Sequence, residues 1–401
     1  MNIIVQKYGG SSVADANKIK NVANRIKKRV LQNYKLVVIV SAPGKTTDQL
    51  IKFAKEVSSN PEPREMDMLL ATGEQMSVAL LSMALKEINI KAKSFNAFQL
   101  NIQTTEHHTK ARIKDIDEKI ILKNLQEYDV IVVAGFQGIN QHSDITTLGR
   151  GGSDTTAVAI AAKLKAPCEI YSDVDGIYTC DPRIHPNAKK HSYITYDDVL
   201  ELASLGAKVL HSRAVELAKK YNITLLCASS FNESEGTMVV NNLPEWLEEP
   251  VVTGATITKN ELKVTLLNLP KDQSIISKIF DEVSEKNLNV DMISIVSSND
   301  KMFLSFSILE EQREDFEKVV QKALDDLKEW NLSYNGNFSK LSIVGIGMRT
   351  APGVASRFFK ALSKINIIPE LVTTSEIKIS ALVPREKAEQ ALKEIITEFG
   401  L

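Results

Sequence analysis

At 401 residues the chain is long enough for two or three domains, each with its own core, since domains typically run to roughly 100 to 200 residues. Lysine and arginine total 49 against 50 acidic residues, a formal charge of -1, so no global positive field exists to hold nucleic acid or an anionic membrane. Cys168, Cys180 and Cys227 stand in no metal-like spacing, and an odd number without a secretory signal predicts a reducing, cytoplasmic compartment.

The first residues, MNIIVQK, are too short and too soon charged for a signal peptide, and no run of apolar residues approaches the ~20 of a membrane span. Short β-branched runs then alternate with helical patterns. Asn2 to Val5 reads as a strand, Asp15 to Val30 as a helix and Leu36 to Val40 as a strand, with more helix up to Leu85, where Arg64 to Leu85 is either one helix or two. Asp129 to Ala134, a helix from Ser153 to Leu164, Cys168 to Tyr171, a helix from His211 to Tyr221 and Ile223 to Cys227 continue the rhythm. Such alternation predicts an α/β domain with a mainly parallel sheet between helices. Asn241, Asn242, Pro244, Glu248, Glu249 and Pro250 make a polar, proline-bearing break around Trp246, which places a domain boundary near residue 245.

Beyond the break, a strand, a helix and two further strands occur twice, a periodicity that predicts two small α+β domains of βαββαβ type. The first copy runs through Lys263 to Leu269, Ile275 to Glu285, Asn289 to Val296, Met302 to Ile308 and a helix from Glu311 to Trp330. The second runs through Lys340 to Ile346, Val354 to Ser363, Ile367 to Thr373, Ile377 to Val383 and a helix from Arg385 to Phe399. Lys263 and Lys340 hold equivalent places, as do Asp291 and Glu370. The second copy has no strand after its last helix, and the unassigned β-rich segment Val251 to Ile257 is expected to fill that place. The expected domains are thus 1–245, 262–338, and 246–261 joined to 339–401.

Three stretches carry chemistry. After the first strand come Lys7, Tyr8, Gly9, Gly10, Ser11 and Ser12; the glycines let backbone N–H groups approach phosphate oxygens, and a following helix adds its positive end. Lys7 is placed to neutralise charge on a transferring phosphoryl group. The spacing matches neither a Walker A loop nor a dinucleotide fingerprint, and two glycines with a lysine also suit an ordinary turn. The second stretch, Leu148-Gly149-Arg150-Gly151-Gly152-Ser153-Asp154-Thr155-Thr156, opens a helix with Ser153 as the expected N-cap. Arg150 can grip a carboxylate in a bidentate fork, while Asp154 can hold Mg²⁺, orient Lys7, or serve only the helix dipole. The third, Tyr171 to Arg183, follows a strand, where open α/β sheets bind ligands; Tyr178 and Arg183 there can flank a base and phosphates, although its Asp-Gly and Asp-Pro pairs also make plain turns.

KYGGSSV, the SAPGKTTDQL segment from Ser41, TGE at Thr72 to Glu74, GFQG at Gly135 to Gly138, LGRGGSDTTA, SDVDGIYTCDPR and AKVLH at Ala207 to His211 together resemble aspartate kinases in order and spacing. The resemblance extends over the whole chain, the C-terminal pair being similar to ACT domains. It implies the amino-acid-kinase fold, ATP with Mg²⁺ carried on the nucleotide phosphates rather than by protein ligands, and L-aspartate as acceptor. Lys7 then stabilises the transferring group and Asp154 organises it. Ser41, Thr47, Glu74, Phe136, Arg150, Gly151, Gly152 and Ser153 fall around aspartate. Gly9, Gly10, Ser11, Ser172, Asp173, Tyr178, Arg183 and Lys208 fall on the nucleotide side with Lys7.

ACT pairs generally bind free amino acids, which makes lysine, threonine or both the implied feedback effectors. Asp272, Met292, Ile293, Ser297 and Ser298 are the expected contacts in one domain, and Met348, Gly353, Val354, Thr374, Ser375 and Glu376 in the other. Assembly is implied as a homodimer through ACT domains or a mixed assembly with a free ACT subunit. Ser11 stands where threonine is commoner, Ser212 where proline is usual, and Lys271-Asp272-Gln273-Ser274 where a Pro-Gly is common. Two other readings compete: a related kinase acting on acetylglutamate or carbamate, and a non-catalytic amino-acid sensor. Glu74 counts against the first, since an acylated amine carries no charge to pair with it, and intact Lys7, Arg150 and Asp154 count against the second.

Overall fold

A computed structural model of the chain describes residues 1–207, 210–244, 250–286, 288–298 and 300–401. The chain divides into two compact units: Met1–Ile177 with Lys190–Ala203 and Lys208–Glu248, and Tyr178–Lys189 with Ser204–Ala207 and Glu249–Leu401. The expected boundary at 245 falls outside the described residues, and Tyr178–Lys189 and Ser204–Ala207 cluster with the C-terminal unit rather than the first.

Twelve strands among the described residues build the first unit. They are β1 (Ile3–Tyr8), β2 (Lys35–Val40), β3 (Ala92–Phe95), β4 (Gln103–Thr104), β5 (Ile113–Asp115), β6 (Val130–Ala134), β7 (Gln137–Ile139), β8 (Ile145–Thr147), β9 (Cys168–Ser172), β10 (Tyr193–Thr195), β11 (Leu225–Ser229) and β12 (Thr237–Val240). Eight form a sheet in the order β10-β12-β11-β9-β1-β2-β6-β3, parallel except where β11 meets β12. The runs LVVIV and VIVVA are buried throughout, as expected of strands covered by helices on both faces.

The helices of this unit are α1 (Ala16–Leu31), α2 (Thr46–Val57), α3 (Pro63–Glu87), α4 (Glu118–Glu127), α5 (Gly152–Leu164), α6 (Tyr196–Ser204) and α7 (Ser212–Tyr221). In α1, Ile19, Val22, Ala23 and Ile26 are buried at helical spacing, and the Asp15 carboxylate caps the first turn by accepting from Lys18 N at 2.9 Å,. α3 is one helix, opened by Pro63 where a missing N–H costs nothing,. Against the expectation from residue runs, α3 is long and apolar enough on average to cross a membrane; half of that stretch is buried within the protein, and it carries the buried carboxylates Asp67 and Glu74. The small sheet β5-β4-β7-β8 was not legible, since its strands are two or three residues long.

The second unit holds β13 (Gly254–Pro270), α8 (Gln273–Glu285), β14 (Asp291–Ser298), β15 (Lys301–Leu309), α9 (Arg313–Ala323), β16 (Asn331–Val344), α10 (Val354–Lys364), β17 (Val372–Thr374), β18 (Lys378–Pro384) and α11 (Ala388–Phe399). Its six strands make one antiparallel sheet, β14-β15-β13-β16-β18-β17. Gly254–Ile257, in the first part of β13, pairs with Leu341–Val344, whereas Val264–Leu267 pairs with Asn331–Tyr334, so two long strands serve both repeats. The helix expected to reach Trp330 stops at Ala323. Leu324, Leu327 and Trp330 still pack on the first repeat's core, which extends the apolar pattern past the helix, and β16 begins at Asn331.

The equivalent residues of the two repeats make reciprocal ion pairs. Lys263 of the first meets Glu370 of the second at 2.9 Å, and Lys340 of the second meets Asp291 of the first at 2.6 Å. Lys340 is 7% exposed and also lies 3.2 Å from the buried Glu261. Burial alone would lower its pKa; Glu261 and then Asp291 outweigh that and raise it. Replacing Lys340 with methionine strands Glu261 without a cation, and is expected to cost about 3 kcal/mol, read as a lower unfolding temperature for the C-terminal unit in scanning calorimetry.

Candidate active site

Four adjacent parallel strands, β9, β1, β2 and β6, end side by side, and their C-terminal loops are the ordinary ligand position of an open α/β sheet,. β1 leads into Gly9 and Gly10, β2 into Ser41 to Gly44, and β6 into Gly135 and Phe136. Backbone bonds sew the loops together: Gly44 N donates to Gly10 O at 2.9 Å, Ser41 N to Tyr8 O at 3.2 Å, and Gly9 N to Tyr171 O at 3.1 Å. Gly10 is required by this closeness, because a Cβ there would stand 2.6 Å from Ala42 O.

These loops and the start of α5 enclose a cleft of about 310 Å³. Lys7, Gly10, Ser41, Thr47, Glu74 and Phe136 line it together with Arg150, Gly151, Gly152, Ser153 and Asp154. Lys7 projects from β1 toward α5, and its ammonium lies 2.7 Å from Asp154 Oδ1, both side chains being nearly buried. A Cβ on Gly9 would stand 3.5 Å from that ammonium, in ordinary van der Waals contact with it.

α5 corrects one expectation. Ser153 is not the cap: the helix begins at Gly152, and the capping residue is Gly151 at φ +67°, a left-handed conformation that a side chain resists,. Thr155 and Thr156 hydroxyls donate back to Gly151 O and Gly152 O, and Thr156 Oγ1 accepts from Phe136 N at 3.2 Å. The helix start and the Phe136 loop are thereby one assembly, with Ser153 buried inside it.

Glu74, from the middle of α3, is 3% exposed. Its Oε1 accepts from Ala42 N at 3.0 Å, while its Oε2 is buried without a partner. Burial pushes its pKa up to about 7, with the Ala42 bond opposing. A half-satisfied carboxylate facing a cleft is suited to an incoming ammonium. Arg150 lines the same cleft and is exposed, free to fold onto a carboxylate.

The nucleotide-side residues are spread more widely. Ser172 ends β9, and its carbonyl accepts from Ser230 Oγ at 3.1 Å; that same hydroxyl accepts from Ser12 Oγ at 2.7 Å. Asp173 is exposed next to it, and Ser11 follows Gly10 in a single 3₁₀ turn. Tyr178 and Arg183 belong to the C-terminal unit, where the Arg183 guanidinium holds Asp181 at 2.7 Å. Lys208 lies outside the described residues. No cluster of three or more metal-ligating side chains occurs among the described residues, and Asp154 is the one aspartate in the cleft lining.

Residues 2–229 match the amino acid kinase family and residues 341–399 the ACT domain. The whole chain is 42% identical to an aspartate kinase of Pseudomonas putida and 43% identical to aspartokinase 2 of Bacillus subtilis, covering 98% of each. The chain belongs to the aspartokinase branch of the amino acid kinase family. The E. coli aspartokinase III complex with aspartate and ADP shares the fold, with a TM-score of 0.81 over the full length of both chains at 24% identity. In this chain the amino acid kinase region is followed by the ACT region.

The ACT unit has its own cleft, of about 880 Å³. Met348, Gly353, Val354, Thr374, Ser375 and Glu376 all line it, and Arg349 and Glu376 pair there at 3.0 Å. The five residues expected from the first repeat lie elsewhere. Asp272 caps α8 by accepting from Ser274 N, Met292 is buried at φ +54°, and Ile293, Ser297 and Ser298 sit on the edge strand β14. Sequence reasoning passed over two side chains that bond segments next to the cleft, Asp67 to Thr109 and Thr147 and Arg213 to Leu148 and Ala111. Asp67 gave no signal within an amphipathic helix, and Arg213 stood just past a recognised motif.

Proposed function

We propose that this chain transfers the γ-phosphoryl group of ATP to the β-carboxylate of L-aspartate, giving 4-phospho-L-aspartate and ADP, the step that opens lysine, threonine and methionine biosynthesis. The observation that carries the reading is the convergence of Lys7, Asp154, Glu74 and Arg150 on one cleft. Aspartate offers one ammonium and two carboxylates. Glu74 takes the ammonium and Arg150 the α-carboxylate, which leaves the β-carboxylate turned toward Lys7. That oxygen is ionised well above its pKa of about 3.9, so it attacks without a general base. A P–O bond forms to the γ-phosphorus, the bond to the β-phosphate bridging oxygen breaks, and ADP leaves. Lys7 offsets the charge on the transferring group and Asp154 keeps its ammonium aimed. Bound together with the nucleotide, Mg²⁺ would supply further charge neutralisation.

Incubating the protein with ATP, Mg²⁺ and hydroxylamine tests this, because an acyl phosphate is trapped as a hydroxamate. Hydroxamate is expected with L-aspartate and not with N-acetylaspartate, which has no ammonium for Glu74. Turnover with acetylglutamate or carbamate and none with aspartate would contradict the reading.

The ACT cleft is proposed as the effector site, Arg349 and Glu376 offering a carboxylate partner and an ammonium partner to free lysine, threonine or both. An inhibitor must bind the less active arrangement more tightly. Titration calorimetry with each amino acid, alone and together, is expected to give heat from at least one; heat from neither would end the proposal. A homodimer through the ACT units or a mixed assembly with a separate ACT subunit, in the cytoplasm, completes the reading.

A further inference from the structure

Arg150 rides on a glycine-rich loop whose backbone bonds tie it to Phe136 at Leu148 N and close a turn from Gly152 N to Gly149 O. Gly149 and Gly151 are both left-handed, at φ +77° and +67°, and the helix that follows begins without a side-chain cap. Glycines at such positions lose much freedom on ordering, so a loop that must present a guanidinium to a small substrate needs outside support. α7 supplies it. Arg213, in the first turn of α7, donates from Nη1 to Leu148 O and from Nη2 to Ala111 O, each at 2.9 Å. The fork therefore joins the start of the Arg150 loop to the segment beside it. His211, just before α7, packs against Gly151, where an added Cβ would meet the imidazole at 2.0 Å.

The other end of this brace is anchored on α3. Asp67, fully buried, accepts from Thr109 N at 3.0 Å and from the Thr147 hydroxyl, and pairs with His108 Nδ1 at 2.8 Å. Ala111 N donates to Thr147 O at 2.9 Å. Hydrogen bonds run from α3 through Asp67, Thr147, Ala111 and Arg213 to Leu148, two residues from Arg150. Glu74 stands on the same helix, two turns from Asp67. The ammonium-binding and carboxylate-binding ends of the acceptor site are thus held at a set separation by one chain of contacts. Arg213 is half-buried, and burial followed by the nearby Arg112 lowers its pKa. Sinking a guanidinium to bond two neutral carbonyls forgoes the stronger pairing a carboxylate would give, which fits a contact kept for its geometry.

We propose that Arg213 is a positioning residue for the acceptor, fixing the Arg150 loop relative to Glu74 so that its loss is felt in aspartate binding and not in nucleotide binding. The inference rests on aspartate being the acceptor. Arg213→Ala and Arg213→Lys are compared with the unaltered protein by KM for aspartate, KM for ATP, kcat and melting temperature. Because a misplacement of about 1 Å can cost up to about a hundredfold, the alanine variant is expected to raise KM for aspartate about tenfold or more, with KM for ATP within about twofold. Added guanidinium ion is expected to restore part of the loss in Arg213→Ala. Arg213→Lys is expected to fall between, since one ammonium cannot span both carbonyls.

Equal changes in the two KM values, an unchanged KM for aspartate, or a lysine variant equal to arginine would overturn the proposal. Should the alanine variant fail to fold, the lysine variant decides by the same comparison. Absence of aspartate-dependent turnover in the unaltered protein would instead overturn the acceptor assignment.

Discussion

Replacing Lys7 with methionine lowers kcat about a thousandfold, with KM for aspartate changed little. The size follows from what the ammonium does: it sits nearly buried, 2.7 Å from Asp154, in surroundings where a donor preorganised for transition-state charge is worth about 10²- to 10³-fold in rate. In the proposed arrangement aspartate is held by other groups, Glu74 and Arg150, so the loss falls on the chemical step and appears in kcat. Asp154→Asn keeps the shape but removes the charge that aims the ammonium, and is expected to lower kcat less than Lys7→Met. Because the two side chains act as one unit, the double variant is expected to be hardly worse than Lys7→Met alone. Steady-state kinetics on the three variants checks this, and fully multiplicative losses would show that the pair does not act together.

Glu74→Gln raises KM for aspartate and, above neutral pH, makes the empty protein more stable. Both effects have one cause. The folded pKa of Glu74 is raised from 4.5 to about 7 by burial, so the unfolded chain ionises first as pH rises. Stability attributable to this group is present below about pH 4.5, declines between 4.5 and 7, and reaches a constant penalty above that,. A displacement of this size is worth about 3 kcal/mol. Glutamine keeps the acceptor for Ala42 N and carries no charge, so it lifts the penalty at pH 8 and gives little at pH 4. The same ionised carboxylate is what an ammonium needs. For the unaltered protein, KM for aspartate is therefore expected to fall as pH rises through about 7, and in Glu74→Gln that dependence is lost. Denaturant melts at pH 4 and 8, with KM measured across pH 6 to 8.5, separate the two effects. A variant less stable at pH 8 would contradict the burial argument.

The kinase cleft was legible because its residues sit in short loops directly after apolar strands. KYGG, SAPG, GFQG and LGRGG each follow or flank a strand whose buried run fixes where the chain emerges, so local spacing carries most of the geometry. Lys7 and Arg150 meet for that reason, with Asp154 in the first turn of the helix that follows, whereas Glu74, in the middle of α3, was picked out only by the family resemblance of its TGE motif. Tyr178 and Arg183 lie in Tyr178–Lys189, which clusters with the C-terminal unit, and nothing in Asp-Gly or Asp-Pro tells which unit a turn joins. The Ser153 cap was misread because two left-handed glycines can start a helix without a capping hydroxyl. The support shell stayed hidden for a different reason. Asp67 and Arg213 act by hydrogen bonds to backbone atoms 42 and 65 positions away, and such partners leave no trace in local composition. In the ACT unit the repeat was visible, and so was the place of Gly254–Ile257 beside the second copy, where it pairs with Leu341–Val344; the joining of both copies into one sheet through the long strands β13 and β16 is what periodicity does not encode.

The most direct test is the structure of the protein with L-aspartate and a non-hydrolysable ATP analogue bound together. The account predicts aspartate in the cleft of the first unit, its ammonium on Glu74 and its α-carboxylate on Arg150. Its β-carboxylate should lie about 3 to 3.5 Å from the γ-phosphorus, with Lys7 on that phosphate and Asp154 on Lys7. Aspartate bound in another cleft, or a γ-phosphate out of reach of Lys7, would contradict it.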